Sequence, residues 1–286
     1  MPRFRRRRRH LALLLLWVAS LASPSRHANA QRPLVSERQD IRNVGGDLWS
    51  VWSSPARVHP SDLTPMVGAA TLVTVIALRD STLWQWMSDH PHALVIRLLG
   101  PIREGWRLPA YELGSGQFIL PLSGVAYAVG RMTHSSAWRD AGLGCAAGHL
   151  SSLGVRAIVF RVVARARPRV TPQPFQFAFP GSKDWSWQSF LSGHVSNSMA
   201  CASYLGHRFS LGAIEPLPYL YSAAIGLGRM ADGRHWASDT MAGAILGFAI
   251  GKAIADRQLA RVARERSPAS AGGSAPVRLL EWSFSF

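Results

Sequence analysis

The sequence predicts an all-α fold, a helical bundle, on three observations. Apolar blocks rich in Ala, Gly and Leu recur along most of its 286 residues, their lengths and residue types favour helix over strand, and connectors containing Pro and Gly separate them. Once an export signal and tails are set aside, the chain can form one domain of about 200 to 250 residues, enough to bury a sizeable core.

Met1 to Ala30 has the layout of a secretory signal, with Arg5 to Arg9 as the basic start, Leu11 to Ala22 as the apolar stretch and Ala28-Asn29-Ala30 as a small-x-small cleavage site. Residues 31–65 form a lead-in rich in Pro, Ser, Asp and Arg, with Trp49 and Trp52, expected to pack over a core. Residues 66–265 are the expected helical domain. Its blocks are Met66 to Leu78, Phe118 to Gly130, Ala141 to Val163, Val195 to Leu205, Leu217 to Leu227 and Ser238 to Ala255. The connectors Pro101 to Gly116 and Pro168 to Lys183 read as functional loops. Residues 266–286 form a Ser/Ala/Gly/Pro linker and a tail, Val277 to Phe286, in which hydrophobic and polar residues alternate as in a strand.

The charge balance depends on the signal. Seven of the 32 basic residues and none of the 16 acidic ones precede residue 31, leaving 25 against 16, or +9, for the mature chain. That balance suits anionic substrates or an anionic membrane surface. An exported chain whose aromatics do not alternate with basic residues is a poor nucleic-acid binder.

Cys145 and Cys201 are the only cysteines. An oxidising compartment would let them pair, but their apolar segments read more simply as core positions, and neither has a zinc-ligand spacing. Most apolar blocks are cut by a charged residue before the roughly 20 residues a bilayer span needs, so they read as core helices of an exported globular protein. Charges facing a polar cavity keep a membrane-embedded version open. Trp84, Trp86, Trp185 and Trp187 likewise read as core material, the alternative being a receptor for a lipid tail.

Three segments carry chemistry. In Gly228-Arg229-Met-Ala-Asp-Gly-Arg-His235-Trp-Ala-Ser-Asp239, a helix from Trp236 onward would set His235 and Asp239 on one face. The carboxylate would then accept from one ring nitrogen and leave the other free to attack. Arg229 lies one short loop away, where its guanidinium can clamp phosphate oxygens. Ser192-Gly193-His194 opens a helix whose first N–H groups and positive dipole end suit an anion, with His194 placed to protonate a leaving group. The plainer reading of Ser192 is a helix N-cap. The third segment, Arg161 to Arg169, crowds basic residues at a helix end that Pro168 helps terminate.

The order Arg-Pro, Ser-Gly-His and Arg-x5-His-x3-Asp resembles the three signature motifs of the type 2 phosphatidic acid phosphatase and vanadium-dependent haloperoxidase superfamily, over roughly Gly142 to Ala255. Three positions depart from its pattern. Phe160 stands where the first motif has lysine, with Arg161 one residue later and so about 100° round a helix. Leu191 replaces the usual proline and Gly228 the usual serine.

The resemblance implies the acid phosphatase type of helical bundle and a phosphoric ester hydrolase, which the N-terminal signal makes an exported one, periplasmic or at the inner membrane with its site on the outer side. In it Arg167 and Arg229 hold oxygens, Ser192 and the Gly193 N–H add hydrogen bonds, His235 attacks phosphorus, Asp239 orients His235 and His194 serves the leaving alcohol. The substrate would be a phosphorylated small molecule or lipid, with no metal or other cofactor. The alternatives are a noncatalytic binder of phosphate or anionic lipid, which the Phe160 departure favours, and a vanadate-dependent haloperoxidase.

Overall fold

Residues 34–96, 114–178 and 181–266 are described by the computed structural model. Its principal helices are α1 (Glu37–Trp52), α2 (Pro60–Ala77), α3 (Asp80–Asp89), α4 (Gly116–Met132), α5 (Ser136–Val163), α6 (Gly193–Arg208), α7 (Pro216–Ala231) and α8 (Ala237–Arg266). The fold is all-α, as the composition predicts, and each of the six apolar blocks falls in a helix, with a residue or so of overhang. The expected signal sequence 1–30, residues 101–113 of the first connector and the tail 267–286 lie outside the described residues.

The core sits where α5, α6 and α8 meet, around Ala141, Cys145, Ala147, Ala200, Tyr204, Leu205, Ile250 and Ile254. Gly243, Gly247 and Gly251 let α8 touch the backbone of α6. A Cβ on these glycines would fall 2.6, 2.4 and 2.2 Å from the carbonyl oxygens of Ser192, Ser196 and Ala200. No side chain fits such a gap, so the glycine row fixes the register of the two helices and sets the first turn of α8 beside the start of α6. The ends of α5 and α7 and the starts of α6 and α8 gather at one end of the bundle. The start of α3 joins them, because Ser238 N–H donates to Asp80 Oδ1 at 3.0 Å.

The lead-in is not a single element: α1 occupies Glu37–Trp52 of it, and α2 begins at Pro60, across the boundary drawn at residue 65/66. Helix α1 lacks a long apolar run because charge anchors it. Its buried Asp40 accepts from Arg139 Nε at 3.0 and 3.1 Å on α5. Its Asp47 accepts from Arg257 Nε at 3.0 Å and Arg261 Nη1 at 2.6 Å on α8.

The cysteines are not plain core residues either. Cys145 and Cys201 form a disulfide joining α5 to α6, with their Cα atoms 4.5 Å apart. Finally, α2 is not a core helix. Only 6% of it is buried, Leu63, Met66, Val67, Leu72 and Val75 are exposed, and by length and composition α2 and α5 are both capable of crossing a membrane.

Candidate active site

The turn from α7 into α8 sets the site's two central side chains. Gly233 adopts a left-handed backbone, with φ +60°, just past the end of α7. Gly233 N–H donates to Met230 O at 2.8 Å and Arg234 N–H to Arg229 O at 3.0 Å, the paired bonds of a Schellman motif. This turn leaves Arg229 in the last turn of α7 and drops His235 in front of α8, both buried.

His235 is oriented differently from the sequence expectation. It precedes α8, so the helical i, i+4 geometry does not apply to it, and its Nδ1 bonds the backbone carbonyl of Ser189 at 2.7 Å. A carbonyl only accepts, so Nδ1 carries the proton and Nε2 presents its lone pair. The direct Asp239–His235 bond expected from spacing is therefore corrected. Asp239 lies in the first turn of α8 and its carboxylate accepts from Trp236 N–H at 2.8 Å, as in a capping box. It also accepts from Ser189 Oγ at 2.5 Å and Arg165 Nη1 at 2.6 Å. Asp239 thus braces Ser189, and Ser189 braces His235.

Arg165 links this network outward. Its Nη2 donates to Asp80 Oδ2 at 2.8 Å and its Nε to Pro174 O at 2.7 Å. All of Asp80, Arg165, Ser189 and Asp239 are buried. Asp80 and Ser189 were not picked out from the sequence. Asp80 lies in α3, far from every motif, and a lone serine before a motif carries no signal of its own.

Arg167 points inward with its three nitrogens already engaged. Nε donates to Trp185 O at 3.0 Å, Nη1 to Arg234 O at 3.2 Å and Nη2 to Gln188 O at 2.9 Å. These bonds fix the plane of a guanidinium whose five N–H donors exceed the three used. Trp185 lies flat to it, with the guanidinium carbon 4.1 Å from the ring centroid. Trp185 is thus an exposed platform for Arg167 rather than core, while Trp84 packs edge-on against Trp236 at 6.3 Å. Arg161, the alternative to the missing lysine, is exposed.

Ser192 is the residue that caps α6, yet its side chain makes no capping bond. Its Oγ is buried without a partner, and Ser192 is fully enclosed. A buried hydroxyl without a partner is costly, so it is available to a ligand at the start of α6 in a way a plain N-cap would not be. Ser192 N–H itself donates to Asp239 O at 3.0 Å and pins the two helix starts together.

The charges converge. Burial and then the guanidiniums of Arg229, Arg156, Arg234 and Arg167 hold the His194 imidazolium down to about 2, far below the ordinary histidine value. Burial, Arg229 and Arg167 push His235 well below its ordinary value, while its bond to Ser189 opposes them. Burial and the charges of Arg229, Arg234 and Arg169 bring Arg167 down to about 9. Guanidiniums crowded this closely repel one another, and a bound anion is what relieves the repulsion. Among the described residues, no group of three or more His, Cys, Asp or Glu could hold a metal ion.

Residues 143–262 match the family model of the PAP2 superfamily. Over that stretch the chain resembles the superfamily. The matched stretch spans α6, α7 and the turn between α7 and α8, together with most of α5 and almost all of α8, and so contains every site residue expected from the motifs. A solved structure, the crystal structure of the first transmembrane PAP2 type phosphatidylglycerolphosphate phosphatase from Bacillus subtilis, is similar to this chain with a TM-score of 0.49 and 17% sequence identity. The likeness covers 68% of this chain and 96% of that one. No curated protein matches the chain.

Proposed function

We propose that this protein is a phosphatase that hydrolyses phosphomonoesters, lipid phosphates among them, through a phosphohistidine on His235. The observation that carries the reading is the gathering of two neutral imidazoles and several guanidiniums around the starts of α6 and α8. His235 Nε2 attacks phosphorus, the new P–N bond replaces the ester P–O bond, and the departing alkoxide takes a proton from His194. Water then attacks phosphorus and gives its proton to His194, and the P–N bond breaks to release phosphate. Arg167 and Arg229, with Ser192 Oγ and the Gly193 N–H, stabilise charge on the equatorial oxygens. No step calls for a metal.

His194 can act as an acid only if it regains proton affinity. A phosphate dianion cancels the guanidinium charge that holds its pKa down and so supplies that affinity on binding. The depressed value in the unliganded site is therefore compatible with acid catalysis.

An export route is supported by the N-terminal pattern and by the Cys145–Cys201 disulfide, a bond at home in oxidising compartments. The apolar, almost fully exposed α2 supports membrane association and a lipid phosphate as substrate, with the site on the outer side. The purified protein should hydrolyse phosphomonoesters in the presence of a chelator, be inhibited by vanadate, and turn over a lipid phosphate in mixed micelles faster than a soluble ester. His235→Ala and His194→Ala should each lower kcat by several orders of magnitude while leaving the fold intact. Phosphate binding without turnover in the wild type, or normal turnover in His235→Ala, would sink this reading.

A further inference from the structure

We propose that Arg156, on α5 and outside all three motif segments, is a further cation that contacts the substrate's phosphoryl oxygens at the start of α6. The proposal deepens the phosphatase reading and rests on it for the identity of the anion. Its basis is placement. The Arg156 side chain lies against Gly193, where an added Cβ would fall 1.9 Å from Nη1 and 2.8 Å from Cζ, so only glycine admits the guanidinium there. Gly193 is the first residue of α6, where backbone N–H groups and the positive end of the helix already favour an anion. A cation resting on that positive end is unfavourable unless an anion joins the two.

Two further observations point to a ligand at the same place. Ser192 Oγ, one residue earlier in the chain and fully enclosed, has no hydrogen-bond partner. The fold's anchoring arginines behave differently from Arg156: Arg139, Arg165, Arg208, Arg257 and Arg261 each pair with a buried aspartate. None of the ion pairs among the described residues includes Arg156. After burial and Arg229, Arg156 is the strongest influence holding His194 down, which places its charge beside the proposed general acid.

The sequence pattern explains why this residue escapes notice. Phe160 stands where a cation is expected, and Arg156 lies about one turn earlier on the same face, a rise of about 6 Å for four residues. The long arginine side chain can span that rise. The Arg156 guanidinium carbon is 5.6 Å from the Phe160 ring centroid, so the phenyl ring that displaces the expected lysine also supports the arginine that stands in for it.

The test is calorimetric binding of inorganic phosphate and orthovanadate to the full-length protein, alongside kcat and KM for a phosphomonoester. Arg156→Met should weaken phosphate binding by about 10- to 100-fold, the loss expected for a charge-assisted contact. Adding Phe160→Lys to Arg156→Met should recover part of that loss, since it restores a cation to the same face. Wild-type phosphate affinity in a folded Arg156→Met variant overturns the proposal. Should Arg156→Met fail to fold, Arg156→Gln takes its place under the same criterion. Wild-type protein that binds phosphate in an Arg156-dependent way but turns over no ester sinks the phosphatase reading alone. Turnover that is unchanged in kcat and KM on losing Arg156 sinks the Arg156 assignment alone.

Discussion

Ser189 shows how the side chain proposed as nucleophile is held by a residue with no chemical signature. Its carbonyl accepts from His235 Nδ1, while its hydroxyl donates to Asp239, which in turn faces Arg165 and, through it, Asp80. The two functions separate by mutation. Ser189→Ala keeps the carbonyl and loses only the hydroxyl's bond, so kcat should fall by about tenfold, as for one hydrogen bond to a charged group. A loss as deep as that of His235→Ala would mean that the hydroxyl, not the carbonyl, sets the ring. Asp239→Ala leaves Arg165 with a buried charge half compensated, and urea unfolding should show a destabilisation of about 3 kcal/mol or more. His194, His235, Arg167, Arg229, Ser192 and Gly193 were legible in the sequence because each sits in a spaced motif. Asp239 was legible as a residue but not in its contacts, because the spacing rule assumes a helix that starts only after His235.

Local signals in the sequence pick out the long apolar helices and miss α1 and α3. Neither carries a long apolar stripe; α1 is fastened by Asp40 and Asp47 to arginines on α5 and α8, and α3 by Asp80 to Arg165 and Ser238. Helix pairing adds two tests. Gly233→Ala would force a Cβ into a left-handed turn and within 3.3 Å of Trp84 Nε1, so it should cost about 1 kcal/mol or more of stability and lower kcat by moving His235. Equal activity and equal melting in that variant would show the turn to be adaptable. The Cys145–Cys201 bond closes a loop with a sequence separation of 56 and ties α5, which carries Arg156, to α6, which carries His194. Its loss in a Cys145→Ser/Cys201→Ser variant should cost about 2 to 5 kcal/mol, and a reducing agent should lower the melting temperature of the wild type but not of that variant.

Crowded positive charge at one end of the bundle has a consequence for the stability of the entire chain. Folding lowers the pKa of both His194 and His235 from an ordinary value of 6.5. Below that pH the unfolded chain binds protons that the folded one refuses, so stability rises with pH up to about 6.5 and is lost as pH falls below it. Chemical unfolding at pH 7.5 and pH 5.0 should show the lower midpoint at pH 5.0, and saturating vanadate should shrink the difference. A higher midpoint in acid would contradict the charge convergence on which the site is built. The helical class, the apolar blocks and the motif residues follow from sequence alone, because period, capping and spacing are properties of neighbouring residues. The bracing of His235 by Ser189, the entry of Arg156 over Gly193, the exposure of α2 and the disulfide arise only when α3, α5, α6 and α8 are brought together. Each depends on contacts between residues far apart in the chain, and no local pattern records those distances.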